Sequence, residues 1–245
     1  LGYRHIRKRA AVITLVCATT LLCGLWTYKR NSLWKNPIAF WNDCVEKSPN
    51  RARPHNNLAV ALERQGRSKE AIYHYQQAVK ANPNFLEAHY NLATALAEQG
   101  RFKEASYHYQ QAVRIKHDDA DAHYRLGVVL QRLGRLEKAA SHYSEALRIN
   151  PVCVEALNDL GLVFARQGRF NEAVVRFSTV LKIMPDYAEA HNNLGAALQK
   201  LGRIDEATDH YLEALHIDPS HKGARRNLDV AREAIRKSAG KATLE

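Results

Sequence analysis

The chain has 245 residues, 46% of them hydrophobic and 25% charged, with 12 Gly, 7 Pro and 4 Cys. Wholesale disorder, collagen-like repetition and a disulfide-held mini-scaffold are therefore excluded, and the length suits one or two domains. The formal net charge of +11 is unevenly placed: residues 1–51 carry +7, residues 222–245 carry +4, and residues 52–221 hold twenty bases against twenty acids. A nucleic-acid binder should carry its positive charge on its working surface, so nucleic acid is not an expected partner of this neutral body. Met184 is the only methionine, so the chain reads as a fragment or a processed product.

From Ala10 to Tyr28 run nineteen residues without a formal charge, fourteen of them hydrophobic. As a helix they would span about 28 Å, close to the hydrocarbon thickness of a bilayer. Arg4, Arg7, Lys8 and Arg9 precede the run, Lys29 and Arg30 follow it, and Trp26 and Tyr28 sit where interfacial rings belong. A signal peptide should end in small residues, and Leu25-Trp26-Thr27-Tyr28 does not; a buried core helix would rarely be so long. The expectation is one transmembrane helix within residues 1–30. The denser N-terminal basic cluster favours a cytoplasmic N-terminus and an extracytoplasmic body, in a periplasm or a lumen. Residues 31–51 follow as a linker with Trp34 and Trp41, and hold a short helix over 37–48.

The body repeats every 34 residues without a slip. Gly-Arg recurs at Gly66, Gly100, Gly134, Gly168 and Gly202. Each pair is followed at fixed distances by Ala71, Ala105, Ala139, Ala173 and Ala207, then by Tyr75, Tyr109, Tyr143, Phe177 and Tyr211. Pro83, Pro151, Pro185 and Pro219 close four units, and His117 breaks that series. The units are 52–85, 86–119, 120–153, 154–187 and 188–221. In a numbering from 1 to 34, Gly at 15 stops a first helix and Pro at 32 follows a second. Small residues at 8, 20 and 27 allow close approach, and large ones at 7, 11 and 24 fill the space between. Position 4 lies on the same packing face and holds His55, His89, His123, Leu157 and His191.

This pattern resembles the tetratricopeptide repeat, over all five units. The resemblance implies an all-α fold, an alpha-alpha superhelix or solenoid of helical hairpins. It departs from the family at position 4, where Trp is frequent. Residues 222–245 start a sixth unit, but Asp229 and Arg232 occupy core slots, which fits a capping helix and tail. Backward, the register puts Trp41 at 24, Cys44 at 27 and Pro49 at 32. The helix over 37–48 then reads as the second helix of a degenerate unit that caps the N-terminal end and joins it to the membrane segment.

No catalytic constellation is visible. Twelve His invite a metal, but equivalent positions in stacked units lie about 10 Å apart. Zinc needs ligands about 2 Å from one ion, so neither a metal nor a cofactor is expected. Cys44 and Cys153 are 109 residues apart, and no Cys-x-x-Cys or phosphate-loop pattern occurs.

Positions 2, 6, 9 and 13 lie opposite the packing face of the first helix. The resemblance implies that this face lines a concave groove for extended peptides. Position 2 is mostly acidic, and position 13 mostly basic with Arg132 and Arg166; both edges also complement the helix dipole. Position 6 carries Asn57, Asn91, Arg125, Asp159 and Asn193, continued by Asn227; position 9 carries Val60, Thr94, Val128, Leu162 and Ala196. Asn is a mediocre mid-helix residue whose amide both donates to and accepts from a peptide backbone. A similar asparagine ladder marks the groove of O-linked N-acetylglucosamine transferase. The expected ligand site is therefore the amide row, the apolar floor of Val60, Val128 and Leu162, and the basic edge. The family's chaperone-tail clamp wants Lys and Asn at positions 5 and 9, where Asn56, Val60, Tyr90 and Thr94 stand. The expected function is a membrane-anchored scaffold that binds protein or peptide segments. The alternative is the acceptor-presenting C-terminal part of a multi-spanning protein, because a last membrane helix, a Trp-containing linker and these repeats resemble O-mannosyltransferase-like proteins.

Overall fold

The computed structural model describes residues 14–28 and 35–242. The chain forms two compact units, Leu1–Ala95 and Leu96–Glu245. The first contains α1 (residues 14–28), α2 (Pro37–Lys47), α3 (Ala52–Glu63) and α4 (Ser68–Ala81). The division falls inside α5 (Leu86–Glu98). The second continues through α6 (Phe102–Ile115), α7 (Ala120–Arg132), α8 (Leu136–Ile149), α9 (Val154–Arg166), α10 (Phe170–Ile183), α11 (Ala188–Lys200), α12 (Ile204–Ile217) and α13 (Lys222–Ala242).

The membrane expectation falls partly on described residues. Residues 14–28 are helical and exposed, and among the described residues no helix is long and apolar enough to cross a membrane. A span needs about 20 residues. Residues 10–13 of the expected span, both of its basic flanks and Trp34 lie outside the described residues.

Within the first unit, Asn36 starts α2: its side chain accepts the N–H groups of Ile38 and Ala39 at 3.1 and 3.2 Å, and Pro37 opens the helix. α2 packs on α3, and α3 on α4. Trp41 stands in the slot that Tyr75 fills in the next hairpin, yet it is only half-buried.

Each first helix ends in the same turn. Gly66 has φ +72°, and the other four turn glycines lie between +72° and +78°. A Cβ would be strained there, which is why the slot holds Gly. In the first repeat the Gly66 N–H donates to the Glu63 carbonyl at 2.8 Å and the Arg67 N–H to that of Leu62 at 3.0 Å. This Schellman pattern recurs in every repeat and satisfies carbonyls the helix end would leave open. The following Arg then reaches forward one turn. Arg67, Arg101, Arg169 and Arg203 each make paired bonds to Glu70, Glu104, Glu172 and Glu206. These hydrogen bonds hold the four carboxyls below the ordinary glutamate range.

The core follows the repeat register. Tyr75, Tyr109, Tyr143, Phe177 and Tyr211 are fully enclosed, and Leu58, Leu92, Leu126, Leu160 and Leu194 are buried. A Cβ on Gly127 would lie 2.6 Å from the Tyr143 ring, and one on Gly161 2.7 Å from Phe177, so these helices touch. Burial leaves the tyrosine hydroxyls in need of partners, and hydrogen bonds supply them. Tyr143 donates to Gln131 at 2.8 Å, and Tyr211 to Gln199 at 2.6 Å.

The position-4 histidines are buried and fully engaged. Nε2 of His55, His89, His123 and His191 lies 2.9–3.2 Å from the carbonyls of Pro49, Pro83, His117 and Pro185. The acceptor is backbone, so it survives where His117 replaces Pro. Nδ1 of His55, His123 and His191 lies 3.0–3.1 Å from Nδ1 of His74, His142 and His210. With Nε2 donating to a carbonyl, the inner ring must accept at Nδ1, and the outer ring must donate there. Burial and then the neighbouring ring hold His74, His142 and His210 below the ordinary histidine value. The described residues hold no group of three or more metal-ligating side chains.

At the C-terminal end of the second unit, α13 buries Ala224, Leu228 and Ala231 against its neighbours and leaves Asp229 and Arg232 in solvent. The polar core slots of the sixth register thus face out, as a cap requires.

Candidate peptide-binding face

In the second unit, α7 packs beside α9 and α9 beside α11. Their outward positions form a graded surface. Val128 and Leu162 on the apolar row are half-buried, and so are Asp159 and Asn193 on the amide row. Arg125 is exposed and pairs with Asp121 at 3.1 Å. Arg132 and Arg166 project into solvent with no ion pair among the described residues. In the first unit, Asn57, Asn91 and Val60 are likewise half-buried.

The amide row is not a set of isolated side chains. Asn227 donates to Asn192 at 3.0 Å, Asn192 to Asn193 at 3.4 Å, and Asn193 to Asn158 at 3.4 Å. Asn158 and Tyr124 both bond to Asp159, the latter at 3.2 Å. In the first unit, Asn91 donates to Asn56 at 3.1 Å, and Asn56 to Asn57 at 3.3 Å. Asn56, Asn158 and Asn192, all at position 5, are buried and were not read from the sequence as site residues. The adjacent pairs Asn56-Asn57, Asn158-Asp159 and Asn192-Asn193 were the available signal. The expectation that the position-6 amides face solvent is thus corrected: Asn91, Asn193 and Asn227 each staple their helix to the preceding first helix, and Asn57 bonds to Asn56 within α3. An amide has two N–H groups and two carbonyl lone pairs, so bonding capacity remains for a ligand backbone.

Asp159 occupies the middle of this network. Burial raises its carboxyl above the ordinary aspartate value, opposed by the bonds from Tyr124 and Asn158. Burial, with Asp159 beside it, in turn pushes the Tyr124 hydroxyl up. The face therefore offers an anchored acceptor at one side of the apolar row of Val128 and Leu162, with the two unpaired arginines at the other end of the register.

Comparison with known proteins places the chain. Models described as TPR repeat match residues 64–100, 94–134 and 163–202, and models described as tetratricopeptide repeat match 52–72, 120–152 and 188–221. A 71-residue stretch, 28% of this chain, is 39% identical to human and 38% identical to mouse Protein O-mannosyl-transferase TMTC1. That stretch spans only 8% of those relatives. Among solved structures, YrrB, titled a TPR protein with an unusual peptide-binding site, superposes with a TM-score of 0.71 at 25% identity. The match covers 76% of this chain and 96% of YrrB. A MamA crystal structure has a TM-score of 0.66 at 24% identity, covers 69% and 92% of the two chains, and speaks to the fold alone.

Proposed function

We propose that this chain, a member of the tetratricopeptide repeat family, is an interaction module whose first-helix face, on α7, α9 and α11, holds an extended protein segment. The observation that carries the reading is the half-buried amide network beside Val128 and Leu162: polar groups fixed in place, with spare bonding capacity, next to apolar surface. The peptide-binding site named for YrrB supports it. Asn193 and Asp159 bond the ligand backbone, Val128 and Leu162 take small or aliphatic side chains, and Arg132 and Arg166 border the track. The chain itself performs no catalysis.

The test is selection from a displayed library of random twelve-residue peptides against the whole chain, followed by titration of the enriched peptides. Leu162→Arg should weaken their binding at least tenfold, while Val175→Arg, on the exposed side of α10, leaves it unchanged. Indifference to Leu162→Arg removes the site from this face.

In the same reading, residues 10–28 anchor the module to a membrane, with the repeats on the extracytoplasmic side. Thr19, Thr20 and Thr27 donate their hydroxyls to carbonyls within α1, which leaves those donors satisfied in lipid. Carbonate extraction that releases the native protein from membranes would refute the anchor. The identity to TMTC1 favours a second reading, in which the module presents acceptors to a multi-spanning O-mannosyl-transferase of the same polypeptide. An antibody to residues 222–245 separates the two: a native product of this chain's size supports the single-pass module, and a much larger one the transferase.

A further inference from the structure

The first repeat differs from the other four on its outward face. Position 2 is acidic in Glu87, Asp121, Glu155 and Glu189 but basic in Arg53, and position 13 adds Arg64. The outward positions Arg53, Asn57, Val60 and Arg64 thus hold two cations and no carboxylate. Both arginines are exposed, and neither makes an ion pair among the described residues. Of the acids in the first unit, Asp43 pairs with Lys47, Glu70 with Arg67, and Glu63 takes the Tyr75 hydroxyl.

The same face opens into a cavity of about 240 Å³ between α2 and α3. Pro37, Ile38, Trp41 and Val60 form its apolar wall, with Asn57 and Arg64 at the polar side. Trp41 borders this space because, in the degenerate N-terminal hairpin, it is only half-buried. A wider cleft of about 750 Å³ on the first unit is lined by Lys47, Arg51 and Arg53, again with no carboxylate. Apolar depth and two arginines without an ion pair among the described residues, Arg64 at the cavity and Arg53 at the cleft, therefore share α3.

We infer that the cavity between α2 and α3 is an anchor pocket for one large apolar side chain of an acidic peptide segment. The occupant's ring or branched chain lies against Trp41, Pro37 and Val60. Its flanking carboxylates meet Arg64 and Arg53, and its backbone amide meets Asn57. Charge complementarity selects the acidic partner, since nothing anionic lines the cavity. The inference rests on the peptide-binding reading and adds to it a specificity that the other repeats lack.

The probes are acetylated, amidated pentapeptides added to the whole chain: Glu-Asp-Phe-Glu-Asp, its central-Ala version, and Lys-Lys-Phe-Lys-Lys. The acidic Phe peptide should bind at least tenfold more tightly than the Ala peptide, and the basic peptide should not bind. Arg64→Glu should weaken the acidic Phe peptide at least tenfold with an unchanged melting curve, and raised salt should weaken it in the unaltered chain. Equal binding of the Phe and Ala peptides, or indifference to Arg64→Glu, overturns the pocket. Absent peptide binding together with Arg64-dependent binding of vesicles holding phosphatidylserine overturns it in favour of a lipid headgroup. Leu162→Arg separates this inference from its premise. It lies in the other unit, so it should spare the pentapeptide while disabling the library-selected peptides.

Discussion

The third and fourth repeats build the same hairpin from different chemistry. The third has His123 bonded to His142, and Tyr143 bonded to Gln131. The fourth puts Leu157 in the first of these slots, packed with Val180 and Ala190, and Phe177 beneath Gly161. Its position-23 residue is Arg176, whose Nε is buried without a hydrogen-bond partner. The turn glycines are alike, with φ +72° and +75°. Backbone turn and interhelix spacing therefore define the fold, and the position-4 contact is free to be polar or apolar. What the polar version adds is sensitivity to protons.

The shared spacing gives the largest expected effect. Gly127→Leu drives a side chain into the Tyr143 ring and should cost about 1–3 kcal/mol or more by overpacking. Gly161→Leu should cost a similar amount against Phe177, read by chemical denaturation. A small effect in either repeat would mean that the rings have room to move. Ala59 and Ala93 fill the same slot in the first two repeats, so Gly127→Ala should be milder.

Acid separates the two repeats next. His142 titrates below the ordinary histidine value because of burial and then the His123 charge, with Glu145 opposing. His74, opposed by Glu70, and His210, opposed by Asp209, Glu206 and Glu213, behave alike. The unfolded chain takes up these protons more readily than the folded one. Stability is therefore complete above about pH 6.5 and falls as the pH drops below it. A second proton on a pair would also set two N–H groups against each other at 3.0–3.1 Å. Replacing His123 and His142 by Leu should flatten the fall in melting temperature between neutral and mildly acidic pH. An unchanged pH profile would remove the pairs from the account of acid stability.

The tyrosine contact should be smaller. Tyr143→Phe loses one bond to Gln131 and should cost about 0.5–1.5 kcal/mol in thermal unfolding. Phe177→Tyr gains nothing in exchange, because Ala165 stands where Gln131 does. Smallest is the surface clamp. The fourth repeat pairs Arg169 with Glu172, whereas the third has Lys138 opposite Arg135. Lys138→Glu should install the missing pair and change stability by no more than about 0.5 kcal/mol.

The hairpins were legible because Gly, Ala and aromatic residues recur at fixed steps, and each has one steric reason to be there. Trp41 was legible as a register position but not as a cavity wall, since its burial depends on what surrounds its hairpin. The histidine pairs were half legible. Spacing excluded metal sharing between neighbouring units, but His123 and His142 lie 19 residues apart within one hairpin, and only the packed geometry brings their rings together. The amide row was read as a solvent-facing ladder. Its bonds to Asn158 and Asn192 were missed because they join helices 35 residues apart. The expected membrane helix rested on an apolar, charge-free run of suitable length with basic flanks and interfacial rings, and residues 14–28 of it are described as helix.

The most direct measurement places a photoreactive benzoylphenylalanine at position 162 or at position 175 of the fourth repeat. Each chain is irradiated with a library-selected peptide, and the adducts are mapped by mass spectrometry. Crosslinking from 162 and not from 175 is the expected result. Equal crosslinking from both, or crosslinking from 175 alone, would contradict a ligand site on the first-helix face.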